Sequence, residues 1–275
     1  MTAHPFRQVD VFPGSALGGN PVAVVLDADD LDEATMRDFA RWTNLSETTF
    51  VLRPVDERAD YRLRIFTPAE ELPFAGHPTL GSASAWADHT GFPGDRLVQE
   101  CGVGLIDLRR TADGFALAAP PLIRSGEPSA EDLAAVLASL RIRGEDVVDA
   151  QWTDNGPGWL AIRLPDALRV LAIVPDFEHM PFPIGVVGPH PADGPADFEV
   201  RAFVPGLGVP EDPVTGSLNA GIGTWFFGAG IADAGYTVRQ GTVLGGNGLV
   251  RVDRDAEGIW VSGACTSRVS GTVDL

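Results

Sequence analysis

A chain of 275 residues can bury a large core or divide into two domains, and its 44% hydrophobic and 21% charged residues mark it as globular. A formal net charge of −18 argues against nucleic acid or an anionic membrane surface as a partner, so an anionic substrate must be held by local donors. All 20 basic residues are arginine, and without lysine no pyridoxal-phosphate Schiff base can form.

The 32 glycines and 22 prolines predict many short strands and turns. Strand patterns occupy 6–12 and 22–26, followed by a helix over 33–42 capped by Asp29, Asp30 or Asp32. Strands follow over 48–52 and 61–66, then a helix over 78–89 stopped by Gly91. Two more strands are expected at 104–109 and 114–118. Pro120-Pro121 marks the boundary between a first half, 1–120 with a C-terminal strand at about 264–275, and a second half, 121–263. In the second half a helix capped by Ser129 spans 129–140. Strands are expected at 159–164, 170–173, 184–187 and 198–203, a helix over 213–227, and strands near 236–239, 249–252 and 259–261. Gly245-Gly246-Asn247-Gly248 lacks the strand–GxGxxG–helix context and is expected to be a hairpin turn.

The halves carry an internal repeat. Arg64-Ile65-Phe66-Thr67-Pro68 matches Arg201-Ala202-Phe203-Val204-Pro205, and His77-Pro78-Thr79-Leu80-Gly81-Ser82 matches Asp212-Pro213-Val214-Thr215-Gly216-Ser217. Trp86 and Trp225 follow at comparable places. Each copy reads as strand, loop and helix start, with proline at the first helical position and donors in the first turn that suit a carboxylate or enolate. Two such starts facing each other are expected to bind an anion. Against that, Asp212 and His77 could each be a helix cap. Histidine is a poor cap and a good proton handler. Glu47 is placed in a polar link before a buried strand, where desolvation is expected to raise its pKa toward neutrality.

Cys101 and Cys265 are too few for a disulfide framework, the histidines are scattered, and no cluster has metal spacing. No signal-peptide run or membrane-length apolar stretch is present, so a cytoplasmic soluble protein is expected.

Several strings, in order along the whole chain, resemble the PhzF-like phenazine-biosynthesis isomerase family: Val9-Asp10-Val11-Phe12, Gly19-Asn20-Pro21-Val22-Ala23-Val24, Asn44-Leu45-Ser46-Glu47-Thr48, Phe66-Thr67-Pro68, Gly76-His77-Pro78-Thr79-Leu80 and Glu211-Asp212-Pro213-Val214-Thr215-Gly216-Ser217. The resemblance implies an α/β (α+β) fold like diaminopimelate epimerase. It has two pseudo-symmetric hotdog-like halves, each a mostly antiparallel sheet around a central helix, assembled as a homodimer. It implies cofactor-independent proton-shift isomerisation of a small carboxylate such as trans-2,3-dihydro-3-hydroxyanthranilate, in secondary-metabolite biosynthesis. Glu47, His77 and Asp212 become the catalytic candidates, and Gly76, Gly216 and Ser217 the substrate-binding ones. Related epimerases use two cysteines, whereas His77 and Asp212 are read here as the equivalent repeat positions. Cys101 and Cys265 are read as buried small hydrophobes.

Departures at Gly245-Gly246-Asn247, Pro78 and Leu218-Asn219 are placed near the expected cleft and leave the substrate open. An isomerase or epimerase acting on another unsaturated or imino acid, and a small-acid binding protein without catalysis, are the alternatives.

Overall fold

The structure, a computed structural model, describes residues 2–205 and 210–275. It has two compact units, Met1–Ala118 with Ser262–Leu275, and Ala119–Val261. The first contains β1 (Ala3–Val11), β2 (Asn20–Val25), α1 (Glu33–Thr43), β3 (Glu47–Leu52), β4 (Tyr61–Phe66), β5 (Glu71–Leu72), α2 (Gly76–Thr90), β6 (Arg96–Cys101), β7 (Gly104–Arg110) and β8 (Gly114–Ala118). The second contains β9 (Arg124–Gly126), α3 (Ala130–Leu140), β10 (Asp149–Asp154), β11 (Leu160–Arg163), α4 (Ala167–Ala172), β12 (Ile184–Pro189), β13 (Phe198–Phe203), β14 (Glu211–Asp212), α5 (Gly216–Gly228), β15 (Gly235–Gln240) and β16 (Gly248–Asp255). The last strand, β17 (Gly258–Asp274), pairs antiparallel with β1 from Cys265 to Asp274. Among the described residues no helix is long and apolar enough to cross a membrane.

Strand pairing repeats between the units. In the first, β1/β2 is antiparallel, β2/β3 parallel, β3/β4 and β4/β5 antiparallel, β4/β6 parallel and β6/β7 antiparallel. In the second, β10/β11, β11/β12, β12/β13, β13/β14, β13/β15 and β15/β16 follow the same series. Each unit is thus a mixed, mostly antiparallel arrangement of strands with a buried helix. In the first, α2 packs against β1, β2, β3, β4 and β8. Both α2 and α5 are buried along most of their length, so neither has a polar face.

Small residues let strands approach these helices. A Cβ on Gly81 would meet Val22 Cγ1 at 2.5 Å, and one on Gly221 would meet the Thr153 carbonyl oxygen at 2.3 Å. Outside the central helix, α1 buries Met36, Phe39 and Ala40 against Phe50 and Phe66, which meet edge to face at 5.6 Å. The second unit has a corresponding cluster in which Val136 and Leu140 of α3 join Trp152, Ile162, Val170 and Phe203.

The register of the repeat differs from the sequence reading. Phe66 faces Glu71 across β4/β5, and Phe203 faces Glu211 across β13/β14. The aligned strings are therefore Glu71-Leu72-Pro73-Phe74-Ala75-Gly76-His77 and Glu211-Asp212-Pro213-Val214-Thr215-Gly216-Ser217. The earlier pairing of Gly81-Ser82 with Gly216-Ser217 is displaced by five residues. His77 corresponds to Ser217, and Asp212 to Leu72, so His77 and Asp212 are not equivalent positions. Trp86 stacks on Tyr61 at 5.2 Å while Phe226 packs on Phe198 at 5.0 Å, which makes Phe226, not Trp225, the partner of Trp86.

Other expectations are also corrected. Both central helices begin elsewhere: α2 opens at Gly76, so Pro78 is its third residue, and α5 opens at Gly216, beyond Pro213. Pro78 is tolerated because the first four helical N–H groups lack intrahelical acceptors. The apolar run at 170–173 lies mostly in helix α4, whose start is capped by Asp166 accepting from the Arg169 N–H. Glu47 is the first residue of β3, opposite Val22, rather than part of a link. Leu218 and Asn219 are fully buried core residues, with Leu218 filling the space over Gly185, so that departure does not line an opening. The cysteines are half-buried rather than fully buried.

Candidate active site

In the first unit the parallel pairing of β2 with β3 sets Glu47 at the strand start, and the first turn of α2 presents His77 beside it. Glu47 Oε2 lies 3.3 Å from His77 Nε2, with side chains 15% and 6% exposed. Asn20, the first residue of β2 and fully buried, donates through Nδ2 to His77 Nδ1 at 3.4 Å. An accepting Nδ1 puts the proton of a neutral imidazole on Nε2, the ring nitrogen 3.3 Å from the carboxylate, at an angle that makes no hydrogen bond to Oε2. Burial pushes the His77 pKa down to about 3, so the ring stays uncharged at ordinary pH. The arrangement is a shielded carboxylate beside a neutral N–H donor, suited to taking and returning a proton.

Gly76 precedes His77 in the same turn. Ala75, at the cap position of α2, makes no side-chain capping bond, so the helix start keeps its backbone donors for another acceptor.

In the second unit the corresponding turn carries Gly216 and Ser217, and Thr215 at the cap position likewise makes no side-chain capping bond. Asp212 does not cap α5. Its Oδ2 accepts from the Thr215 hydroxyl at 2.6 Å. Gln240, fully buried, fixes that direction: its Nε2 donates to Thr215 Oγ1 at 2.9 Å and to the Asp212 carbonyl at 3.1 Å. Its Oε1 accepts from the Thr215 N–H and from Asn219 Nδ2. With its oxygen already accepting from Gln240, Thr215 is left to donate to Asp212.

The structure thus brings Glu47 together with His77, and Asp212 with Thr215, Gly216 and Ser217. Asn20, Thr215 and Gln240 were not singled out as site residues from the sequence. Asn20 and Thr215 lie inside quoted strings, and a buried carboxamide beside a titratable or hydroxyl group is the physical signal that identifies Asn20 and Gln240. Hollows of about 560 Å³ beside Arg62 and Cys101 and about 340 Å³ beside Arg141 and Arg169 include none of the candidate residues. Burial raises the thiol pKa of Cys101 and pushes that of Cys265 up to about 12, which leaves neither a ready thiolate.

The family model of phenazine biosynthesis-like proteins matches residues 9–271. The chain is 36% identical to "Antisense-enhancing sequence 1" of Schizosaccharomyces pombe, covering 98% of this chain and 99% of that one. It is 38% identical to trans-2,3-dihydro-3-hydroxyanthranilate isomerase of Pseudomonas aeruginosa, over 78% and 76% of the two chains. A crystal structure of a phenazine biosynthesis protein of the PhzF family from Enterococcus faecalis superposes with a TM-score of 0.84 at 25% identity, covering 100% of both chains. With its duplicated fold and these similarities, the chain belongs to the family of phenazine biosynthesis-like proteins and is an isomerase.

Proposed function

We propose that this isomerase shifts a proton, without a cofactor, along the unsaturated system of a small cyclic amino or hydroxy acid, trans-2,3-dihydro-3-hydroxyanthranilate being the first substrate to test. The observation that carries the reading is the Glu47–His77–Asn20 arrangement, in which a carboxylate 15% exposed faces an imidazole held neutral and in one tautomer. Glu47 takes a proton from an activated carbon and, once protonated, returns one further along the conjugated system. His77 stays neutral and keeps its Nε2–H for the substrate's amino or hydroxyl group. The helix-start donors at Gly76, Gly216 and Ser217 bind carboxylate and stabilise the delocalised anion. Asp212, Gly216 and Ser217 are proposed as further substrate contacts, with Asp212 accepting from an amino or hydroxyl group.

A second reading keeps the reaction type and changes the acid. The relative named for the hydroxyanthranilate reaction aligns over 78% of this chain, whereas the Schizosaccharomyces pombe protein aligns over 98%. Following ultraviolet absorbance of trans-2,3-dihydro-3-hydroxyanthranilate with the enzyme separates the two. Conversion that drops at least about a hundredfold in Glu47→Gln supports the first reading. No conversion by the wild type rejects that substrate, and undiminished conversion by the variant rejects Glu47 as the proton carrier.

A further inference from the structure

The turn between β10 and β11 is built around Ser217. Asp154 Oδ1 accepts from the N–H groups of Gly156 and Gly158 at 2.8 and 2.7 Å, and both glycines have positive φ, 139° and 91°. That closes the loop Asn155-Gly156-Pro157-Gly158-Trp159 into one shape. The loop sends two donors to one residue. Asn155 Nδ2 donates to the Ser217 carbonyl at 2.8 Å, and Trp159 Nε1 donates to Ser217 Oγ at 3.0 Å. The contact of Gly221 with Thr153 locks α5 against β10, so turn and helix keep their distance.

An indole N–H can only donate, so Ser217 Oγ can only accept from it. The Ser217 hydroxyl proton is therefore turned away from Trp159, and it has no acceptor among the described residues. The carboxamide oxygen of Asn155, buried beside Ser217, has no donor among them either. A serine whose oxygen accepts from behind and whose proton lacks a partner is a preset donor. We infer that Trp159, 2% exposed, is a positioning residue that fixes Ser217 as a hydrogen-bond donor to the substrate's carboxylate. The inference rests on the proposed binding role of Ser217 and adds how that role is enforced.

Trp159→Phe removes the N–H and keeps the ring. Anthranilate serves as a carboxylate probe in calorimetric titration, with no turnover required. The affinity is expected to fall about fivefold to tenfold in Trp159→Phe, the effect of one neutral hydrogen bond. In Ser217→Ala the same tryptophan change should then alter affinity less than about twofold, because the interaction it supports is already gone. A merely structural tryptophan would lower affinity equally in both backgrounds, and that result overturns the inference. Should Trp159→Phe fail to fold, the indole N–H resonance of Trp159 in the ¹⁵N–¹H spectrum provides the test. It is expected to shift on adding anthranilate to wild type and to stay fixed in Ser217→Ala. A resonance unmoved in wild type that binds the probe overturns it as well. If anthranilate does not bind wild type while the isomerisation substrate turns over, KM carries the cycle, with kcat unchanged expected in Trp159→Phe. If neither binds nor turns over, the proposed function fails first and takes this inference with it.

Discussion

His77 and Ser217 occupy the same place in the two units, the second residue of the central helix, and each is gripped from a β-hairpin. In the first unit the hairpin side is Asn20, donating to an imidazole nitrogen. In the second it is Trp159, donating to a hydroxyl oxygen. Asp10 and Asp154 also correspond, and each uses Oδ1 to bind glycine N–H groups of the turn, Gly19 in one and Gly156 and Gly158 in the other. The scaffold has been kept and the side chain it presents has changed. A buried donor behind an imidazole sets a tautomer, and the same device behind a serine sets a donor. The acid differs more sharply: the register that puts Glu47 before Thr48 puts Pro183 before Ile184, so the second unit has no carboxylate at the position of Glu47.

The largest expected difference concerns the repeated arginine clamp. Arg201 binds Glu211 through Nε and Nη2, with side chains 3% and 7% exposed, while Arg64 binds Glu71 in the same way at 19% and 29% exposure. Arg201→Met leaves a buried carboxylate uncompensated and is expected to cost about 3–5 kcal/mol in urea unfolding. Arg64→Met should cost about 1 kcal/mol or less, since water reaches that pair. Equal costs would break the argument that the copies differ in burial of the same clamp.

The helix glycines come next. Gly221→Ala drives a methyl group into the Thr153 backbone oxygen, whereas Gly81→Ala meets valine side chains that can yield. Overpacking of about 2–3 kcal/mol is expected at Gly221, and less at Gly81, by thermal unfolding.

A pH-dependent effect reads the imidazole itself. Because the folded state holds the His77 pKa near 3 against 6.5 for the free ring, the unfolded chain binds a proton that the folded one refuses. Stability from this residue is complete above about pH 6.5 and is lost as pH falls toward 3. The urea midpoint of wild type should therefore drop more between pH 7 and pH 4 than that of His77→Gln. Parallel curves would contradict a desolvated neutral imidazole.

Strands with clean alternation, such as Tyr61–Phe66, and helices with a side-chain cap, such as α3 behind Ser129, were legible because their causes are local. Val170-Leu171-Ala172-Ile173 was not, since a short apolar run fits either strand or helix until Asp166 supplies a cap. The repeat misled for a physical reason. Gly81-Ser82 lies inside a helix, where Gly81 admits Val22 and Ser82 bonds Thr49, while Gly216-Ser217 opens one. The same residue types serve packing in one copy and the start of the helix in the other. Glu47, His77 and Asp212 stood out because they lie in the strings that carry the family resemblance, and His77 and Asp212 also because each precedes a proline in the repeated motif. Trp159 did not, because its partner is 58 positions away and nothing in the string reports the contact.

Solvent-deuterium incorporation tests the central claim most directly. Wild type and Glu47→Gln are incubated with trans-2,3-dihydro-3-hydroxyanthranilate in D₂O and the product is analysed by mass spectrometry and NMR. Deuterium at a ring carbon in the wild-type product, with turnover and label both lost in the variant, is the result expected of a proton carried by the Glu47 carboxyl. Label entering at the same rate in Glu47→Gln would contradict it.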